Sequence, residues 1–166
     1  VLKTLEILEE RGKVTISDEA LKEGLLKVKK QTGLRGRWDI LQENPRVIAD
    51  VAHNVSGVKS ILKSIKNATS THFILGFSAD KNAEEILPLF PHEAHFYFTT
   101  FDSPRAMPLE VLAEKAKYTG LKGEAYSDVN TALEAVLAQK VRPEDEVWVL
   151  GSIFLIAELK ASNFTL

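Results

Sequence analysis

From about residue 34 to the end, short β-rich runs alternate strictly with amphipathic stretches, and this alternation restricts the fold more than any other feature of the chain. Arg46 to Ala52, His72 to Leu75, Ala94 to Thr99, Glu124 to Tyr126 and Glu146 to Leu150 are rich in β-branched and aromatic residues and read as strands. Arg37 to Gln42 alternates enough to add another. Between them, Val55, Val58, Leu62 and Ile65 form one helical face, and Ile86 with Leu89 a second. Leu109, Leu112, Ala113 and Ala116 form a third, with Pro108 near its start. Val129, Ala132, Leu133, Val136 and Leu137 form a fourth behind an Asp128 cap, and Ile153 to Leu159 supplies the last. Strand-helix alternation of this length implies crossover connections. The expected fold is therefore a Rossmann-like α/β domain: a mainly parallel sheet, helices on both faces, and room for one antiparallel edge strand.

The first 33 residues are different. Leu2, Leu5 and Leu8 recur at helical spacing, and Ser17 can cap a second helix carrying Leu21, Leu25 and Val28. Residues 1–33 are read as the helical tail of a preceding domain or as a linker, and residues 34–166 as the main domain. With 45% hydrophobic and 27% charged residues in 166, the composition suits one ordinary core. A formal charge of -2 gives no basic excess for a phosphate backbone, so nucleic acid is not an expected partner. The absence of cysteine removes disulfides, thiolate zinc sites and thiol nucleophiles from consideration. The longest apolar stretch, Val147 to Ala157, is interrupted by Gly151 and Ser152 and falls short of the roughly 20 residues of a membrane helix. The cytoplasm is the default compartment.

Ligands of open α/β sheets gather beyond the carboxyl ends of the strands. At the first such end, Asp50 could accept hydrogen bonds from ribose hydroxyls, and His53 and Asn54 could donate to phosphate oxygens. Alternatively, Asn54 caps the next helix and His53 is a surface loop residue. At the second, Gly76 permits close approach and Lys81 could neutralise an anion, or Asn82 and Glu85 form a capping box in an ordinary turn. At the third, Gly151 and Ser152 offer backbone N-H groups and a hydroxyl to a carboxylate or phosphate, or simply turn and cap the chain. At the fourth, Arg105 binds an anion or pairs with Asp102. No second His or carboxylate lies at ligand spacing from His53, so a metal site is not expected. His72, His92 and His95 receive no role. Neither G-x-x-x-x-G-K-[ST] nor G-x-G-x-x-G occurs, so nucleotide work would be shared with another domain.

Gly36-Arg37-Trp38, Asp50-Val51-Ala52-His53-Asn54, Gly76 with Asp80-Lys81, Pro104-Arg105-Ala106 and Gly151-Ser152-Ile153-Phe154-Leu155, in this order, resemble the C-terminal domain of folylpolyglutamate synthase and dihydrofolate synthase, members of the ATP-dependent Mur ligase superfamily. One departure is Val55, where the family commonly has Pro after His-Asn. The resemblance implies a ligase in which ATP phosphorylates the carboxylate of a folate or dihydropteroate and the amine of L-glutamate attacks the acyl phosphate. It further implies Arg37 at the ATP phosphates, Asp50 at the ribose, and His53 with Asn54 at the nucleotide or the loop holding it. Lys81 and Ser152 would face glutamate, and no residue stands out as a nucleophile. The magnesium ligands would lie on an ATPase domain preceding this one, and the chain by itself would be inactive. The competing expectation is a stand-alone Rossmann-like nucleotide- or anion-binding module, whose Arg37, Asp50 and His53 would face a closed pocket of its own.

Overall fold

The computed structural model describes residues 1–65, 70–139 and 141–160. The chain divides into two compact units, Val1–Leu34 and Arg35–Leu166.

The first unit contains α1 (Leu2–Glu10), α2 (Asp18–Leu26) and α3 (Val28–Thr32). Ser17 caps α2 as expected, its side chain accepting from the Ala20 N-H at 3.1 Å. Val28 does not continue the Leu21-Leu25 face: the backbone leaves helical geometry at Lys27, and Val28 opens α3. None of the residues in these helices is buried.

The second unit runs β1 (Asp39–Glu43), β2 (Arg46–Asp50), α4 (Val55–Ser64), β3 (Thr71–Leu75), α5 (Ala83–Ile86), β4 (His95–Thr99), α6 (Leu109–Tyr118), β5 (Gly123–Tyr126), α7 (Val129–Ala138), β6 (Glu146–Leu150) and α8 (Ile153–Ala157). The six strands form one sheet in the order β1-β2-β6-β3-β4-β5. Only β1 is antiparallel to its neighbour. The expected mainly parallel, Rossmann-like sheet with one antiparallel edge is thus present.

Because side chains alternate across a strand, each central strand feeds two cores. Ile48, Phe73, Leu75, Phe96, Phe98 and Trp148 pack with Val58 and Ile61 of α4, Ile86 of α5 and Leu112 and Ala116 of α6. Val47, Ala49, Ile74, Tyr97, Val147 and Val149 pack with Val129, Ala132, Leu133 and Val136 of α7 and Leu155 and Ile156 of α8. Helices therefore cover both faces. Full burial of each large apolar side chain contributes about 1.5–3 kcal/mol, so the central strands anchor the unit.

Two helical details differ from the periodic reading. In α4, Val58 and Ile61 are buried, whereas Ile65 is the extended C-cap. The second helical face is only one turn of α-helix, Ala83–Ile86, passing into a 3₁₀ turn at Leu87–Leu89. Pro88, without an N-H, favours the first turn of a helix over its interior, and the α-helix stops short of it.

Candidate functional site

The order β2-β6-β3 is what assembles the site. β6, the last strand in sequence, lies between β2 and β3, so β2 reaches β3 only by crossing over it. Asp50, Leu150 and Leu75 stand in register at the carboxyl ends of these strands. The segments after them open on one rim, as in other open α/β sheets that bind ligands there.

A cavity of about 330 Å³ lies on that rim, lined by Arg37, Val51, His53, Ser78, Lys81, Arg105, Gly151, Ser152, Ile153 and Phe154. Of the six residues to which the family resemblance gives a role it brings together Arg37, His53, Lys81 and Ser152, and Arg105 and Gly151 from the other strand ends line it too. Asp50 and Asn54 are not among its lining residues.

Asp50 is committed to the backbone. One carboxylate oxygen accepts the Trp38 N-H at 2.8 Å and the other the Ala52 N-H at 2.9 Å. Asn54 caps α4, its side-chain oxygen accepting from the Gly57 N-H at 2.8 Å, so the helix-cap alternative describes that contact. Val55, in the place where the family commonly has Pro, is the first residue of α4, and the Asn54 cap forms without the ring. His53 Nδ1 lies 2.7 Å from the Val51 carbonyl. A carbonyl only accepts, so Nδ1 carries the proton, and Nε2 of a neutral ring is left as an acceptor. Direct donation from Nε2 to a phosphate therefore requires the imidazolium.

Arg37 is exposed, and among the described residues it has no carboxylate partner; the one side-chain hydrogen bond found there is a long 3.5 Å donation to the Gly36 carbonyl. Lys81 Nζ donates to Asp80 at 2.8 Å. That hydrogen bond is the chief reason the Asp80 carboxyl is held below its ordinary range. Arg105 pairs with Asp80, at 3.9 Å, and not with Asp102, the partner that one of the two sequence readings offered it. The Arg105 loop is fixed by backbone bonds from Ala79 N-H to the Arg105 carbonyl and from Met107 N-H to the Phe77 carbonyl. Its guanidinium lies 5.7 Å from the centre of the Phe154 ring, which stacks on Phe101.

Gly151 has φ +125, and a Cβ there would stand 2.3 Å from the Gly76 carbonyl oxygen. The two strand ends approach this closely only because residue 151 has no side chain. Ser152 is buried; it accepts the Phe154 N-H at 3.2 Å, and its hydroxyl is 3.4 Å from that of Ser78. Asn82 and Glu85 do hydrogen-bond, at 2.7 Å, but Asn82 makes no side-chain cap because its own backbone turns away from the extended geometry a cap needs. Ser78 and the Phe101-Phe154 stack had no sequence signal that set them apart from turn and core residues.

A second polar cluster occupies the opposite, amino ends of the strands. His72 is buried, stacks on His95 with ring centres 4.7 Å apart, and approaches the Tyr97 hydroxyl at 3.2 Å. Tyr97 donates onward to Gln139 at 3.1 Å. Burial and, secondarily, His95 push the His72 pKa down, with Asp145 opposing. Among the described residues, no group of three or more His, Asp or Glu could hold a metal ion, and no helix is long and apolar enough to cross a membrane.

A mainly parallel sheet with helices on both faces and a cation-lined crevice at its switch in strand order defines an open α/β domain of Rossmann-like class. The Mur ligase, glutamate ligase domain family matches residues 36–153, and the chain belongs to that family. Among curated proteins it is similar to the dihydrofolate synthase/folylpolyglutamate synthase of Bacillus subtilis, 28% identical over 159 residues that cover 93% of this chain and 35% of the relative. The corresponding protein of Escherichia coli is 28% identical over 148 residues, 87% of this chain and 33% of that one. Among solved structures, the bifunctional folylpolyglutamate synthase/dihydrofolate synthase of Yersinia pestis complexed with AMPPNP and Mn ion superposes with a TM-score of 0.72 at 27% identity, over 90% of this chain and 35% of that one. The folylpolyglutamate synthase of Thermotoga maritima gives 0.64 at 31% identity, over 93% and 34%. The chain thus spans about a third of the length of these relatives.

Proposed function

We propose that this chain is the glutamate-accepting domain of an ATP-dependent ligase that joins L-glutamate to a folate or to dihydropteroate, acting in the cytoplasm with an ATPase domain. Residues 1–33 are read as the tail of that domain or a linker to it. In the reaction, a carboxylate oxygen of the acceptor attacks the γ-phosphorus of ATP and ADP leaves. The glutamate nitrogen then attacks the acyl carbon, and phosphate departs as the nitrogen loses a proton. Both steps gather negative charge, which fixed cations and amide donors stabilise. ATP and a divalent cation, AMPPNP and Mn in the Yersinia protein, supply the phosphoryl chemistry, and the magnesium ligands are assigned to the ATPase domain.

The observation that carries this reading is Arg37: an arginine in the rim cavity, with no carboxylate partner among the described residues, suits a phosphate chain. Asp50, with one lone pair of each oxygen still available, is assigned to the ribose. His53 and Asn54 are assigned to the nucleotide or its loop, and Lys81 and Ser152 to glutamate. In the complete enzyme, Arg37→Ala should weaken ATP binding by about tenfold to hundredfold, the value of a charge-assisted hydrogen bond, without changing thermal stability. Unchanged ATP affinity would remove the basis of the proposal. The chain alone should show no magnesium-dependent ATP hydrolysis.

A further inference from the structure

Arg37 sits in a turn that is forced from both sides. Gly36 before it has φ +71, and a Cβ there would lie 2.7 Å from the Val51 side chain. Trp38 after it has φ +49 and is the only residue other than glycine with positive φ among the described residues. A bulky side chain rarely adopts that conformation, so something must hold it. Three contacts do. The Gly36 carbonyl accepts the Val51 N-H at 2.9 Å, the Trp38 N-H donates to Asp50 Oδ2 at 2.8 Å, and the Trp38 ring meets Trp148 edge-on with centres 4.9 Å apart. The other Asp50 oxygen, Oδ1, takes the Ala52 N-H at 2.9 Å, which locks the carboxylate to the exit of β2.

The geometry points to Asp50 as a positioning residue that fixes Arg37 over the cavity through the left-handed turn at Trp38, besides whatever it offers a ribose. A carboxylate acting only on the sugar would not need both oxygens on backbone N-H groups, one of them donated from a separate segment twelve residues away. The guanidinium has only the long 3.5 Å contact to the Gly36 carbonyl within the same turn, so the backbone on either side sets where the side chain leaves the chain. Loss of the Asp50 contact leaves Trp38 free to return to ordinary φ, which rotates the turn and withdraws Arg37 from the position where a phosphate would meet it.

The inference rests on the ATP reading of Arg37, and a nucleotide without ribose hydroxyls separates the two. Binding of 2′,3′-dideoxyATP would be measured in the complete enzyme for the parent, Arg37→Ala, Asp50→Asn and the double variant, with thermal melts alongside. Asp50→Asn should weaken this nucleotide by about the same tenfold to hundredfold factor as Arg37→Ala, and the double variant should be no weaker than Arg37→Ala alone. Trp38→Pro keeps the carboxylate but removes together the N-H it receives, the left-handed φ and the ring against Trp148; it should give the same loss, again absorbed when Arg37 is Ala, and serves if Asp50→Asn does not fold. If Arg37→Ala weakens dideoxyATP while Asp50→Asn binds it as the parent does, or if the two losses multiply, the positioning role is wrong and the ATP site stands. If Arg37→Ala itself binds normally, the ATP reading fails and this inference fails with it.

Discussion

Replacing Ser152 by alanine tests whether that hydroxyl belongs to the fold or to a ligand. The structure gives it two duties: it accepts the Phe154 N-H at 3.2 Å as the cap of α8, and it lies 3.4 Å from the Ser78 hydroxyl. Loss of a serine cap costs about 1 kcal/mol. Ser78 is also buried, and Ser152 is its only side-chain partner among the described residues, so Ser152→Ala strands a hydroxyl at a further cost of about 1–3 kcal/mol. At 3.4 Å the contact is long, which favours the lower end, and we expect a total of about 2–3 kcal/mol. Urea unfolding of the chain should show this as a lowered midpoint with unchanged slope. Ser78→Ala in the same chain removes the stranded group, so the double variant should be no less stable than Ser152→Ala alone. If Ser152→Ala leaves the unfolding free energy within about 0.5 kcal/mol of the parent, the scatter of a neutral surface change, the structural reasoning is refuted. In the complete enzyme, a KM for glutamate raised about tenfold or more, with that for ATP unchanged, would show that the hydroxyl also meets the amino acid.

The His72 pKa is lowered on folding, so below the ordinary value of 6.5 the unfolded chain binds more protons than the folded one. Stability should be full above that pH and fall as pH drops toward the folded value, and His72→Gln should flatten the change in unfolding free energy between pH 7 and pH 5; an unaltered slope would contradict the burial argument. Gly151→Ala places a Cβ 2.3 Å from the Gly76 carbonyl at φ +125, and should cost about 2–5 kcal/mol in urea unfolding from strain plus overcrowding. Leu133→Ala empties a fully buried site between α7 and the sheet and should cost about 2–5 kcal/mol by the same measurement, without altering nucleotide affinity in the complete enzyme.

The sheet was legible because its information is local. Runs such as Val147-Trp148-Val149-Leu150 are apolar on both faces, as a central parallel strand must be, and Asp128 precedes an apolar helical stripe and does cap it, accepting from the Asn130 and Thr131 N-H groups. What the sequence could not carry was pairing at a distance. The Asp50-Trp38 bond spans a hairpin and depends on a residue in a conformation that nothing about tryptophan announces. The sequence offers Arg105 either an anion or its neighbour Asp102, but the loop bends back along the end of β3, where Ser78 bridges to Ala106, and brings it to Asp80. Ser78 likewise acquires its partner only when β6 lies beside β3.

The charges on the rim explain why such a site would work at a junction. Lys81 and Arg105 share Asp80, which is half exposed, and a pair of that kind contributes little to stability, so both cations can turn to a stronger anion at small cost. Among the described residues, Arg37 has no carboxylate to leave. Against one shared Asp80, the cavity therefore presents three cations held apart by separate strand ends, in surroundings still open to water, where each is screened. Covering the rim with a second domain would exclude that water and raise the effect of every one of these charges on a developing phosphate without moving the sheet beneath. Rigid strand ends supply the placement, and the closing surface would supply the low dielectric that makes the placement count.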